Sequence, residues 1–266
     1  MNQVTRPFAI LVNRVVICFA VGLALGSYFW HPARIFQYLL DICLRAYLHF
    51  VAGSMAHEAV HGHLGNSKRA NLWWGRVALI PTTVPGVTFR KTHLRHHAAT
   101  NIPLEDPDEF LNTKRSWEIP LRALAMPHHW VMWLHRQNRL TRRDRIEYLV
   151  TYLVYTAVYG LIACFAGVER VLLGLLPAAI LHSWILWYLF AVKTHEGYST
   201  GTPESRSHNY YGRLLYWLSF GLSMHRLHHL KPNLAWLQMA RNVPAGSWMQ
   251  RVRFERDIIV DARKAA

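Results

Sequence analysis

The chain carries apolar runs too long for ordinary core helices. Residues 15–30, VVICFAVGLALGSYFW, contain no charged residue, and their flanks extend the run to about 10–31. Residues 35–56, IFQYLLDICLRAYLHFVAGSMA, are apolar apart from Asp41, Arg45 and weaker polar groups. Residues 148–168 and 171–192 lack Asp, Glu, Lys and Arg altogether. A helix needs about 20 residues to cross the hydrocarbon core. The pattern therefore predicts an all-α integral membrane protein, one domain over 1–266, with four transmembrane helices in two pairs. Four such runs exceed what soluble core helices explain. Gly22 and Gly26 suggest a close helix contact on the first span. The same span reads as an anchor, since no small-residue cleavage site follows a short apolar core.

Shorter apolar stretches lie between and after the pairs. Residues 72–89 are broken by Pro81 and Pro85, and residues 210–224 are too short to span. Both read as interfacial or re-entrant segments, anchored by Trp and Tyr. Residues 117–135 resemble them, and Pro120 and Pro127 predict a break there rather than one helix.

Charge orients this plan. The chain is 52% hydrophobic, yet its formal net charge is +15. Residues 64–146 hold 14 Lys or Arg against 6 Asp or Glu, whereas the connections within the pairs hold only Arg34, Glu169 and Arg170. Basic residues stay in cytoplasmic loops. The expectation is a cytoplasmic helical cap, with both termini on that side. No nucleic-acid motif accompanies the charge, so a nucleic-acid partner is not expected. Cys18, Cys43 and Cys164 lie in apolar runs without a paired framework and read as helix-packing residues.

The cap carries the candidate chemistry. Of 17 histidines, eight fall in HEAVH (57–61), HLRHH (93–97) and HRLHH (225–229). Residues three and four apart share a helix face. His57 pairs with His61, His93 with His96 and His97, and His225 with His228 and His229. His195, just past the last span, parallels the end of the first pair. These imidazoles exceed a four-coordinate zinc site and suit two metal ions with open positions. His63 is a further candidate if Gly62 ends its helix. His49 and His182 sit deeper and read as structural, with a polar group beside a substrate tunnel as the sharper reading of His182. His128, His129, His135 and His208 read as surface or supporting groups. HEAVH also fits H-E-x-x-H, a zinc-peptidase pattern with Glu58 as general base. That reading leaves the other two boxes unexplained. A metal transporter would place its ligands inside the bilayer, along a path.

HEAVH, HLRHH, DPDEF (106–110) and HRLHHLKP (225–232) resemble the membrane fatty acid desaturase and hydroxylase superfamily, which includes carotenoid hydroxylases and ketolases. The resemblance spans about residues 35–235. It implies two iron ions, O2 as co-substrate, and His57, His61, His93, His96, His97, His195, His225, His228 and His229 as ligands. Asp106 and Asp108 match an acidic motif expected to orient a ligating imidazole; a capped turn around Pro107 is the equal alternative. Some members hold a water with an Asn one turn before the lone histidine, where this chain has Ala191. The implied substrate is a lipid within the membrane, an acyl chain first and a carotenoid second. No dinucleotide, haem or iron–sulfur motif is present, so a separate donor of ferredoxin, rubredoxin or cytochrome b5 type is implied. Arg136, Arg139, Arg142, Arg143 and Arg145 form one basic loop that could dock it, although a positive-inside loop accounts for the same charges.

Overall fold

The computed structural model describes residues 4–113, 115–195, 206–243 and 253–254. It is built from helices: α1 Arg6–Gly26, α2 Ile35–Val60, α3 Lys68–Ala78, α4 Gly86–Ala99, α5 Ile119–Arg136, α6 Arg142–Ala166, α7 Val168–Leu181, α8 Arg213–Leu218, α9 His225–Leu230 and α10 Trp236–Met239. A two-residue antiparallel ladder joins Tyr210–Tyr211 to Arg253–Phe254.

Three helical segments are long and apolar enough to cross a membrane: Arg6–Phe29, Ile35–Val60 and Arg142–Ala166. The expected fourth span is helical but not uniform. α7 has 14 residues, and the chain continues as a π-helix over His182–Val192. At about 1.5 Å per residue, α7 alone falls short of the roughly 30 Å hydrocarbon core.

α1 buries Ala9, Ile10, Asn13, Ile17, Ala20, Val21 and Ala24, spaced three or four apart, against α2. Its opposite face exposes Phe8, Leu11, Val15 and Phe19. α6 likewise exposes Leu149, Leu153, Leu161 and Phe165, as a lipid-facing helix does. A Cβ added at Gly22 or Gly26 would meet no neighbouring atom within 4 Å, so neither glycine serves the expected close helix contact. The three cysteines are exposed, not packed between helices as expected.

The charges inside the second run have partners. Arg45 Nε and an Nη donate to the Asp41 carboxylate at 3.1 and 2.9 Å, and Arg170 donates to it at 2.9 Å. Arg45 also donates to the Ser27 carbonyl and lies 3.8 Å from the Tyr28 ring centroid. This cluster ties α2 and α7 to the chain after α1, at the end away from the histidine boxes. Gly174 permits the approach, because a Cβ there would fall 2.8 Å from Tyr28 and 3.0 Å from Arg45.

The expected break in 117–135 is absent: α5 runs unbroken. Pro120 lies in its first turn, where a missing N–H costs nothing. Pro127 is internal and removes one helical hydrogen bond. Burial of Met126, Trp130, Trp133 and Leu134 along one side of α5 outweighs that loss. The proline pair 81 and 85 does interrupt its segment, between α3 and α4. On α6, Tyr155 and Tyr159 donate to the Val84 and Pro81 carbonyls, fixing this bend.

Candidate metal centre

Four pieces of chain deliver the histidines to one place. α2 ends with His57 and His61, where Gly62 at φ +86° stops the helix. α4, entered through Pro85, presents His93, His96 and His97. His195 follows the π-helix, and α9 carries His225, His228 and His229.

They sort into two groups, within each of which one nitrogen per ring lies within 4.8 Å of the others: His57, His61, His93, His97 and His228, and His96, His195, His225 and His229. Each His-x-x-His-His box is split. Its first and last histidines join one group, and its fourth crosses to the other. Helix geometry explains the split. Residues i and i+4 are offset by about 40° on one side, and i+3 by about 60° on the other.

The nitrogens converge at short range. Nε2 atoms lie 2.9 Å apart for His61–His93, 3.0 Å for His93–His97 and His97–His228, 2.9 Å for His195–His225 and 3.1 Å for His225–His229. Each group thus brings its ring nitrogens close enough together to hold a metal ion. His57 Nε2 is buried without a hydrogen-bond partner, as a lone pair reserved for a metal would be.

The electrostatics demand neutral rings. Burial, then repulsion between imidazoles, pushes His97 down to about 2. Burial and the neighbouring His96 likewise push His195 down to about 3. His61, His93, His225, His228 and His229 also lie well below the ordinary range. His96 is the exception. Burial opposes its protonation, but Asp106 and Asp108 overcome that and raise it to about 9.

The Asp106 carboxylate accepts from His96 Nδ1 at 3.0 Å, from the Asn101 N–H at 2.8 Å and from the Asp108 N–H at 2.9 Å. One side chain thus serves both alternatives read from the sequence: it caps the turn at Pro107 and turns His96 Nε2 toward its group. Asp108 stands 3.7 Å from His96 Nδ1 and accepts from Trp130 Nε1 at 2.8 Å. Burial raises its pKa to about 6. The Arg206 carbonyl accepts from His195 Nδ1 at 2.9 Å and so frees Nε2. Sequence reading missed Trp130 and Arg206; a backbone carbonyl leaves no mark in residue identity.

His63 belongs to neither group. Its Nδ1 bonds Glu58 at 2.9 Å, and Glu58 also accepts from the Trp236 N–H at 3.2 Å. Asn13 bonds the His63 carbonyl and accepts from Trp236 Nε1, so this network joins α1, α2 and α10. His49 and His182 pair deeper, with centroids 6.1 Å apart. His128 and His135 are exposed, and His129 stacks on Phe110. His208, read from the sequence as a surface or supporting group, is fully buried; its N–H bonds the Thr194 carbonyl beside His195. The Ala191 side chain lies outside those described.

A cavity of about 110 Å³ runs from the histidines toward the spans. Phe50, Leu79, Val84, Phe89, Trp130 and Phe190 form its apolar walls, and His182 lines it too. His57, His93, His96, His195 and His225 reach it from the metal groups.

A search among curated proteins finds no match to the chain. A family model described as fatty acid desaturase matches residues 33–245, which include every histidine of both groups. The chain belongs to the membrane fatty acid desaturase and hydroxylase superfamily.

Proposed function

We propose that the protein is a membrane non-haem diiron oxidoreductase that uses O2 to attack an unactivated C–H bond of a lipid, with fatty acyl desaturation as its reaction. The observation that carries this reading is the meeting of two all-imidazole clusters with one apolar cavity. The nine clustered histidines would hold the irons, five on one ion and four on the other. Iron supplies the O2-dependent oxidising power that alkyl C–H bonds require and that acids or bases lack. Asp106 fixes the His96 tautomer, and the Arg206 carbonyl does the same for His195. Phe89, Trp130 and Phe190 keep water from the chain beside the clusters.

In this reading the fourth span is α7 with its π-helical continuation. The histidines and both termini face the cytoplasm, in line with the basic 64–146 segment. Electrons come from a separate carrier. The peptidase alternative is disfavoured because the Glu58 carboxylate is engaged by His63 and Trp236. Ligands gathered at helix ends likewise disfavour a transport path. A polyene substrate is the second reading, favoured by the aromatic walls at Phe50, Phe89, Trp130 and Phe190. The test is expression in a host that makes both acyl lipids and carotenoids, with a competent donor, followed by mass spectrometry. Loss of two hydrogens from acyl chains supports desaturation, and gain of one oxygen in either pool supports hydroxylation. No change in either pool counts against the proposal.

A further inference from the structure

The apolar cavity beside the histidine groups ends on a polar ring. Phe50, Gly53, Ser54 and His57 line it from one face of α2, and His182, Phe190 and His195 line it from the stretch after α7. Of these, Phe50 and His182 lie farthest from the metal groups along their helices. His182 faces His49, with ring centroids 6.1 Å apart. His49 precedes His57 on α2 by about 12 Å along the helix. Past that level the space is filled. Ala178, one turn before His182, is fully buried, and Arg45, one turn before His49, is paired with Asp41, which also holds Arg170.

Gly53 keeps the way to this floor open. A Cβ added there would meet no atom within 4 Å, although the residue lies in mid-helix, so the empty space beside it is the cavity itself. Glycine is a poor choice inside a helix unless its lack of a side chain is used.

The polar groups along the way are not equivalent. The Ser54 and Thr82 hydroxyls donate to the Phe50 and Leu79 carbonyls at 2.8 and 3.1 Å, and so spend their protons inside the protein. The His182 ring bonds the backbone of Ala46. That bond ties the π-helix to α2, but it does not require the ring to border a cavity. A leucine there would complete the apolar floor that Phe50 and Phe190 begin, their rings 5.3 Å apart. A polar side chain at this depth of a membrane protein calls for a polar counterpart.

We propose that His182 receives an oxygen at the inserted end of the substrate, so that the protein acts on an acyl lipid whose far end carries a hydroxyl or carbonyl group. The inference rests on the lipid reading above and names the chemistry of the end that enters. A hydroxyl both donates and accepts, so it can share the hydrogen bonding of His182 and Ala46 rather than displace it. Placed against the apolar walls instead, the same oxygen would be buried without a partner. His182 is therefore a specificity-determining residue. With the oxygen fixed at the floor, the carbon that lies beside the histidine groups is counted from that end.

The test uses the full chain in phosphatidylcholine nanodiscs, equilibrated with equal amounts of stearate and stearate hydroxylated at its terminal carbon. Bound lipid is counted by mass spectrometry against empty nanodiscs, a readout that needs no turnover. The expected result is enrichment of the hydroxylated chain by about threefold or more. His182→Leu should remove that enrichment and still bind stearate, and His182→Gln, which can hydrogen-bond, should keep most of it. Gly53→Leu fills the path and should abolish binding of both chains. Stearate hydroxylated at mid-chain should gain no enrichment in the unchanged protein, a comparison that does not depend on how any variant folds. The proposal is overturned if the unchanged protein fails to enrich the terminal alcohol, or enriches the mid-chain alcohol equally. It is also overturned if His182→Leu leaves the enrichment intact, or if Gly53→Leu binds both chains as before. β-Carotene and its dihydroxylated derivative form a second pair, and dependence on His182 in that pair alone overturns an acyl chain as the source of the oxygen. Absence of lipid turnover with a competent donor strikes the diiron reading, while the bound-lipid ratios still decide the role of His182.

Discussion

The two metal groups differ by one histidine, and the difference follows the chain. The first combines His57 and His61 with His93 and His97, then takes His228 from the other half. The second combines His195 with His225 and His229, then takes His96 in exchange. Four residues before His195, where the first half has its additional histidine, stands Ala191. Neither half can therefore complete a site alone. With one ion in each, the larger group would leave fewer positions open for exchangeable ligands. The smaller one is bordered by the carboxylates of Asp106 and Asp108.

The exchanged histidines give the harshest test of this asymmetry. His228→Ala strips the five-histidine group and His96→Ala the four-histidine group. Each is expected to reduce turnover to background and to lower bound iron. His128→Ala, on an exposed ring, should do neither. Equal loss from all three would mean that folding, not ligation, had been disturbed.

Acidification ranks next. An ordinary histidine binds its proton near 6.5, but folded His97 and His195 refuse theirs until about 2 and about 3. Below 6.5 the unfolded chain binds protons that the folded one does not, so stability falls as pH falls. Each such histidine adds to that loss as pH falls below 6.5. His96 has the opposite sign: its contribution is complete below 6.5 and is lost as pH rises through about 9. Iron-free protein should therefore melt at clearly lower temperature at pH 5 than at pH 7. A flat profile would remove the account of crowded neutral imidazoles.

A gentler change separates the groups. Asp106→Asn keeps a capping side chain but removes the charge behind His96. Iron affinity should fall about 10- to 100-fold at the four-histidine group, with the other group unchanged. Equal weakening at both, in a titration that resolves two sites, would show the groups to be one unit. The smallest effect is expected from Glu58→Gln. Partial loss of its bonds to His63 and Trp236 should cost about 1–3 kcal/mol of stability and leave iron bound. Loss of iron with stability intact would return Glu58 to the metal site.

Much of this was legible in advance, for local reasons. Long uncharged runs mark spans, and the spacing of His57 with His61 is fixed by one helical turn. The division of each His-x-x-His-His box was not legible. It depends on how α4 and α9 are rotated against each other, and every partner involved is distant in sequence. The joining of Arg170 to the Asp41–Arg45 pair was hidden for the same reason: Arg170 is 129 residues from Asp41. Pro127 misled because the local cost of a helical proline is visible, whereas the burial of Trp130 and Trp133 that offsets it is not. His63 was ambiguous because Gly62 does release it from the helix, and only the fold shows that it turns to Glu58.

The central claim is that two metal ions share nine imidazoles. It is tested most directly by counting metals in the full chain, purified from iron- and zinc-replete cells without chelators. The account predicts about two irons and little zinc per chain, as two all-imidazole sites with open positions would hold. About one zinc and no iron per chain would contradict it.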